Sequence, residues 1–445
     1  MPDCTVISYP YQTSPLEWFD RFYAEDGAVL LDSGRPLAER GRFDILSAWP
    51  DESRAIAPNE SGEAFLQRAR LCWQQLTAAQ LPANCSSPFA GGLLGYFSYD
   101  FGRRLEALPT QAKDDLKLPH AMLGLYSWAL VTDHQTQQSW LIFHPACSPE
   151  KRQKVQHQLE QTPHSAPSFA LTQPFSRDWS QAHYAQQLQR VLDYIRAGDC
   201  YQINLTQRFQ ARFSGSPWLA YQRARRACPT PYSGFIRTKQ GAIASLSPER
   251  FLQASQGVVN TRPIKGTRPR GQTPAKDAQL ADELKASPKD RAENLMIVDL
   301  LRNDLGRACA IGSVRVDDLF SIESYPNVHH LVSGISGTLA EGEDALSLLS
   351  KSFPGGSITG APKIRAMQII DELESTRRSI YCGSLMYLDA RGFFDSSITI
   401  RTLLFEDDKV FCWGGGGIVA DSQAESEYAE SITKVSVLLD ALAHQ

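Results

Sequence analysis

Nowhere in this chain do apolar residues run for the roughly 20 positions that a membrane-spanning helix needs. Long basic runs are missing as well and the net charge is −4, so neither a membrane nor a nucleic acid is an expected partner. The opening MPDCTVISYPYQTSP lacks the basic head and apolar core of a secretory leader. The nine cysteines are scattered, with no CxxC pair and no Cys/His cluster at zinc spacing. Their odd number and wide separation predict reduced thiols and a cytoplasmic location. None has a histidine beside it in a motif, which argues against a catalytic cysteine. The nucleotide fingerprints GxGxxG and GxxxxGK(S/T) do not occur at a strand-to-helix turn.

What is present is globular in composition, 42% hydrophobic and 21% charged over 445 residues. That length allows two or three average domains, or a large one with a smaller companion. Residues 1–160 mix strand-like runs such as GAVLLDSG, AGGLLGYFSYD and SWLIFH with turns, which predicts an α+β region rich in sheet. QTPHSAPSFALTQPFSRD, at 161–178, is rich in Pro, Ser and Thr and reads as a linker to a second region, 178–445. There Tyr184, Leu188, Val191, Leu192 and Ile195 fall at helical spacing before Gly198. CYQINLTQRF then alternates. Tyr201, Ile203, Leu205 and Phe209 share one strand face, and Gln202, Asn204, Thr206 and Arg208 the other. Further strands are predicted at GAIASLSPERFLQA, VVNTRPIKG, GSLMYLD, FFDSSITIRTLLF and KVFCWGG, and helices at 275–286, 288–305, 361–378 and 422–443. The mixture predicts sheets with helices packed outside them.

Several residues carry chemistry. Lys265 sits in NTRPIKGTRPRG, after a stiffening Pro263 and before Gly266, which permits a sharp exit. A solvated lysine needs no such frame; one aimed at a single carbon does. In the last helix Glu427 and Glu430 are i, i+3 and Glu430 and Lys434 are i, i+4, opposite Val435, Leu438, Leu439 and Leu442. Taken alone, that stripe is a solvated salt-bridge face. Glu293 lies one turn into SPKDRAENLMIVDLLRNDLG, just before apolar residues 295–298. Two carboxylates about 4 Å apart repel by roughly 4 kcal/mol at an effective dielectric of 20. Mg²⁺, which prefers one or two carboxylates plus substrate oxygens and water, would remove that cost. The glycine turns at 264–271, 353–363 and 413–422 suit small anions, with Thr359 assisting in the second. Arg401 in SSITIRTLLF needs a buried anion. His330 in VHHLVSG reads first as a satisfied core histidine. Glu249 in SLSPERF is a general acid if burial raises its pKa, or else a partner of Arg250.

PIKGT, DRAENLMIVDLLRND, FPGGSITGAPK, ITIRT, GGGGIVADS and ESEYAE, in this order over about residues 180–441, closely resemble the chorismate-utilising enzymes. The resemblance implies an α+β fold of two large stacked antiparallel β-sheets with helices outside and the active site between them. It implies that Glu293 and Glu430, with Glu427 supporting through water, hold Mg²⁺ against the ring carboxylate of chorismate. Arg401, Tyr387, Lys434 and the backbone N–H groups near Gly415, Gly416 and Gly417 would clamp the substrate's carboxylates. Thr359 and His330 would contact the ring and a carboxylate, and Glu249 would protonate the departing C4 hydroxyl. Gln202 stands where water-using relatives carry a lysine base, which implies ammonia as the nucleophile. Lys265 stands where relatives that aminate C2 directly carry alanine, in PIAGT. Lysine there implies attack on C2 with loss of the C4 hydroxyl, then ammonia entering at C4 on the route to p-aminobenzoate. The attacking amine must be neutral, and lowering its pKa from about 10.4 to near 7.5 takes roughly 4 kcal/mol.

The first region adds a second resemblance. LLDSG (30–34) and RGRFDIL (40–46) are similar to the segments that hold tryptophan in this family, which marks Leu31, Ser33, Arg42, Phe43 and Asp44 as a tryptophan pocket. Asp32 replaces the glutamate of many relatives, and GRFD replaces their GRYS. No GxCxG nucleophile elbow with a downstream His and Glu is visible, so the resemblance implies a separate glutamine amidotransferase subunit as the ammonia source. Two alternatives stand beside amination at C4: direct amination at C2, and a catalytically silent anion-binding subunit on the same scaffold. Intact Glu249, Glu293, Glu430 and Lys265 argue against silence.

Overall fold

A computed structural model describes residues 1–163, 165–324 and 328–443. A 12-stranded sheet runs in the order Thr5–Tyr9, Gln138–Phe143, Trp128–Asp133, Phe43–Ser47, Val29–Asp32, Tyr232–Thr238, Gly241–Ser247, Thr402–Glu406, Lys409–Ile418, Gln202–Ser214 and Gly360–Ala361, and its twelfth strand, Ala170–Arg177, pairs with Gln202–Ser214. A 10-stranded sheet runs Ile264–Pro269, Val328–Thr338, Val258–Thr261, Arg250–Ser255, Phe394–Ser397, Ser384–Asp389, Gly92–Phe97, Ala121–Tyr126 and Glu52–Ala55, and its tenth strand, Arg315–Ser324, pairs with Val328–Thr338. Neighbouring strands are antiparallel throughout. Each sheet draws strands from both sides of residue 178, so the division at 160/178 is one of sequence and not of separate layers.

Alternation of side chains builds two cores from the large sheet. Val29, Ile45, Ile142, Ile236 and Ile243 face the second sheet, where they join Leu93, Leu123, Leu385 and Phe394. Their sequence neighbours Leu30, Leu46, Leu141, Phe235 and Ala244 face the other way, onto Trp218, Val435 and Leu438 of the covering helices. A strand buried on both faces reads as a continuous apolar run, which is why the alternation is muted in the sequence. All nine cysteines are buried and free. Among the described residues no helix is long and apolar enough to cross a membrane.

Two predicted strands are each cut in half, and at both cuts the chain changes sheet. Within GAIASLSPERFLQA, Gly241–Ser247 belongs to the large sheet and Arg250–Ser255 to the small one, with Pro248 and Glu249 between them. Within FFDSSITIRTLLF, Phe394–Ser397 lies in the small sheet and Thr402–Glu406 in the large one, and Arg401 takes a left-handed backbone with φ 51°. The two crossings run side by side. Ile398 N–H donates to Glu249 O at 3.1 Å, and Leu246 N–H to Arg401 O at 3.0 Å. The expected linker at 161–178 contains a strand, Ala170–Arg177, paired with Gln202–Ser214. Pro174 falls in a stretch of shifted register there, where a missing N–H costs least. The helix expected at 361–378 is shorter, Lys363–Leu373, because Pro362 precedes it and Glu374 leaves on extended backbone.

Arg378 ties these parts together from a side chain only 1% exposed. Its guanidinium donates to both Glu374 oxygens at 2.8 and 2.6 Å, to Ile358 O at 3.0 Å and to Asn204 O at 2.5 Å. It also lies over the Tyr99 ring at 4.8 Å. Arg378→Met would leave Glu374 buried without its cation, a loss of about 3–5 kcal/mol. Urea unfolding of the variant checks this; a change under about 1 kcal/mol would show that the network is not holding the fold.

Candidate active site

The side-by-side crossings and the 353–363 turn bring Glu249 and Lys265 together on Ser357. Glu249 is 7% exposed, and its Oε1 accepts the Ser357 hydroxyl at 3.1 Å. Lys265, from the Ile264–Pro269 strand, donates to the Ser357 carbonyl at 3.2 Å. Burial raises the Glu249 pKa, opposed by the Lys265 charge and the Ser357 bond. Burial lowers the Lys265 pKa; Glu249 opposes this, and Lys434 adds to it. Both groups are thus driven toward their neutral forms, an amine and an acid. The competing partner of Glu249 is taken elsewhere: Arg250 makes two bonds of 2.9 Å to Asp395 and stacks on Tyr232.

The last helix, Ala424–Ala443, supplies the opposite wall. Glu427 is 7% exposed and accepts from the Ser422 hydroxyl at 2.7 Å, so Ser422 serves this carboxylate rather than capping the helix. Lys434 pairs with Glu430 at 2.6 Å and donates to Gly415 O at 3.0 Å. A Cβ on Gly416 would lie 3.3 Å from Glu427 Oε2, 3.4 Å from Glu430 Oε1 and 3.5 Å from Lys434 Nζ, so these three groups converge above bare backbone. A Cβ on Gly417 would fall 2.5 Å from Gln202 Nε2, so glycine there admits the glutamine. Gln202 is buried, and its Oε1 has no hydrogen-bond partner among the described residues. Pairing between Thr402–Glu406 and Lys409–Ile418 ends at Leu403 opposite Cys412. Beyond it the glycines keep only the Gln202–Ser214 strand as a ladder partner, which leaves one edge of their backbone open to an anion.

Glu293 faces the same space from the helix Pro288–Gly306, whose start is capped by Ser287 with Pro288 in the first turn. Burial raises its pKa, opposed by Lys265 and Lys289, while Asp290 and Glu427 add to the rise. Burial raises that of Glu427, opposed by the Ser422 bond, while Glu430 adds to the rise. Among the described residues no three His, Cys, Asp or Glu side chains stand close enough to hold a metal unaided. Crowded carboxylates that raise one another, with too few ligands for a cage, fit Mg²⁺ shared with a substrate carboxylate.

The remaining residues divide. His330 bonds the Thr267 hydroxyl at 2.9 Å, and burial with Arg401 nearby pushes its pKa down to about 4, so it is neutral at physiological pH. Arg401 makes no carboxylate ion pair among the described residues; its Nη1 reaches only Cys228 Sγ at 3.7 Å. Thr359 differs from expectation: fully buried, it turns its hydroxyl onto Gly355 O at 3.1 Å, a bond that shapes the turn. Tyr387 also differs, because alternation along Ser384–Asp389 points it into a second cavity, beside Arg250 and Asp395.

That second cavity, about 160 Å³, is lined in part by Leu31, Arg42, Phe43, Tyr232 and Arg250. Ser33 and Asp44 lie outside its lining. The Asp44 carboxylate accepts the Ser33 N–H at 2.7 Å and meets His134 Nε2 at 2.6 Å, which turns it into the protein. Asp32 reaches the cavity wall, but its carboxylate is taken by Arg225, the Tyr221 hydroxyl and Gly34 N–H.

Sequence reasoning passed over Ser357 and took Ser422, beside Asp421, only as a candidate cap of the last helix. Both lie inside quoted motifs, but a serine beside Gly356 signals a turn, and one at a helix start signals a cap, before either signals a partner for a carboxylate.

The chain as a whole has counterparts among known proteins. A profile for chorismate binding enzymes matches residues 27–440. Aminodeoxychorismate synthase component 1 of Klebsiella aerogenes is 44% identical over 448 residues, covering 98% of each chain. The protein of the same name from Escherichia coli K12 is 44% identical over 96% of this chain and 95% of its own. The crystal structure of anthranilate synthase component I from Streptococcus pneumoniae superposes with a TM-score of 0.79 at 29% identity, covering 90% of this chain and 93% of that one. By profile, identity and coverage together, this chain belongs to the chorismate binding enzyme family.

Proposed function

We propose that this chain is the aminating component of an aminodeoxychorismate synthase, converting chorismate and ammonia to 4-amino-4-deoxychorismate. The observation that carries the reading is Lys265, a half-buried amine held on the same serine as a buried acid. The Lys265 lone pair bonds to C2 of the substrate, the ring double bonds shift, and the C4–O bond breaks. Glu249 gives its proton to the departing oxygen, which leaves as water, and takes one back from the new ammonium. Ammonia then bonds to C4, the C2–N bond breaks, and Glu249 returns a proton to the departing lysine. Gln202, which cannot serve as a base toward water, lines the approach of the neutral nucleophile. Ammonia itself comes from a separate glutamine amidotransferase; the relatives' own name, component 1, marks them as one part of a pair.

Arg401, Lys434 and the open glycine edge suit the substrate's carboxylates, since Arg401 has a guanidinium to offer and the edge has backbone N–H groups. Glu293 and Glu430 would hold Mg²⁺, with Glu427 behind them, and the ion would neutralise the carboxylates and anchor the ring carboxylate. Relatives named anthranilate synthase are also similar to this chain, for example that of Aquifex aeolicus at 37% identity over 80% of this chain. Lys265 is what favours C4 amination over theirs. The second cavity takes tryptophan in this reading, its indole between Leu31 and Phe43.

Product analysis tests the central claim. With chorismate, Mg²⁺ and ammonium the wild-type chain is expected to give the 4-amino product, and Lys265→Ala to lose it at least about 100-fold while a 2-amino product emerges. A variant that still makes the 4-amino product at near wild-type rate overturns the lysine step.

Carboxyl groups with raised pKa values hold extra protons in the folded chain, so they lower its stability as pH rises above the usual carboxylate range. A divalent cation binds their deprotonated forms. The thermal shift caused by Mg²⁺ is therefore expected to be larger at pH 8 than at pH 5, and to shrink in Glu430→Gln. An equal shift at both pH values would remove these carboxylates from the metal site. For the second cavity, tryptophan is expected to raise the melting temperature of the wild type and not of Phe43→Asp; no shift in the wild type refutes the assignment.

A further inference from the structure

One serine touches both reacting groups, through different atoms. Ser357 offers its hydroxyl to Glu249 Oε1 at 3.1 Å and its carbonyl to Lys265 Nζ at 3.2 Å. We propose that Ser357 is the positioning residue of this site, its hydroxyl fixing which oxygen of Glu249 carries the proton while its carbonyl aims the Lys265 amine. The inference rests on the reading of the chain as a lysine-dependent aminating enzyme.

The chemistry follows from donor and acceptor counts. A carboxylic acid has one proton and two oxygens. With Oε1 accepting the serine hydroxyl, the proton is placed on Oε2, the oxygen the serine leaves for the departing C4 oxygen. A neutral amine has two N–H groups and one lone pair. With one N–H directed at the Ser357 carbonyl, the rotation of the lone pair is restricted. Because both contacts belong to one residue, acid and nucleophile keep a fixed mutual distance, as bond formation at C2 with bond cleavage at C4 demands.

The turn that carries Ser357 is itself pinned. Lys363, which begins the Lys363–Leu373 helix, bonds Asp304 Oδ1 at 2.7 Å and Ser352 O at 2.7 Å, and both charged side chains are nearly inaccessible. Asp304 sits eleven residues after Glu293, three helical turns on and therefore on the same face of Pro288–Gly306. A Cβ on Gly356 would strike Leu300 of that helix at 2.5 Å, so the turn packs directly on it. One rigid helix thus presents Glu293 to the cleft at one end and, through Asp304 and Lys363, holds the Ser357 turn at the other.

The test is a double-mutant cycle read on the covalent half-reaction. Wild type, Ser357→Ala, Glu249→Gln and the double variant are mixed with chorismate and Mg²⁺ without ammonia, and the rate of the Lys265 adduct is followed by mass spectrometry. Ser357→Ala is expected to slow adduct formation roughly 5-fold, the usual effect of losing a hydrogen bond between neutral groups. The chorismate concentration for half-maximal rate should stay within about twofold, since the carboxylate clamp is intact. In the Glu249→Gln background the same substitution should cost less than about threefold, because the residue it acts through is gone. Equal losses in both backgrounds, or no loss in either, overturn the positioning role, as does a rise in half-maximal chorismate with the maximal rate unchanged. If wild type forms no adduct on Lys265, the underlying reading fails instead, so the two failures are distinguishable.

Discussion

Two short segments that leave one sheet for the other, lying against each other, set the geometry of the whole site. The Ser247–Arg250 and Ser397–Thr402 crossings bond through their main chains, and Ser247 Oγ donates to Ile398 O at 2.5 Å to lock them further. A residue in the middle of a strand has its side chain fixed by the pleat, toward one layer or the other. A residue at a crossing escapes that choice and can point into the gap between layers. Glu249 and Arg401 occupy these places. The acid and an arginine without a carboxylate partner are thus held by backbone hydrogen bonds, which no side-chain substitution nearby can remove.

Around that frame, opposite charges are gathered where water is scarce. Burial shifts the protonation of Lys265, Glu249, Glu293 and Glu427 toward the neutral forms, and the charges around each of them modify that shift. An arrangement of this kind is poor for stability, because desolvation of each ion opposes the attraction between them. It is favourable for chemistry that needs a neutral amine and a neutral acid within one cleft. Stability is supplied elsewhere, by the apolar cores on either face of the large sheet and by Arg378, with four hydrogen bonds, beneath the turn.

Much of this was legible in the amino-acid order. The helix at 288–306 is read to within a residue because Ser287 and Pro288 mark its start, and the family motifs placed Glu249, Lys265, Glu430 and Lys434 in one site. Three kinds of error have physical causes. A strand that changes sheet looks continuous, since β-branched residues suit both halves; hence the unread breaks at Glu249 and Arg401. A strand also has two faces, and nothing local says which cavity each one meets, so the place of Tyr387 in the wall of the second cavity was not legible. Short polar side chains turn toward the nearest backbone partner, as Thr359 does with Gly355 and Asp44 with Ser33, and spacing cannot reveal that.

Arg401 bears one more consequence. At φ 51° it holds a backbone that glycine or asparagine adopts more readily than a long side chain does. Such a position costs the folded state on the order of 1 kcal/mol or more. Random variants screened only for heat resistance would therefore favour Gly or Asn at 401, and each gain would discard the guanidinium. Thermostability and retention of the arginine are in conflict at this one residue, and an engineered chain hardened against heat is best kept unaltered there.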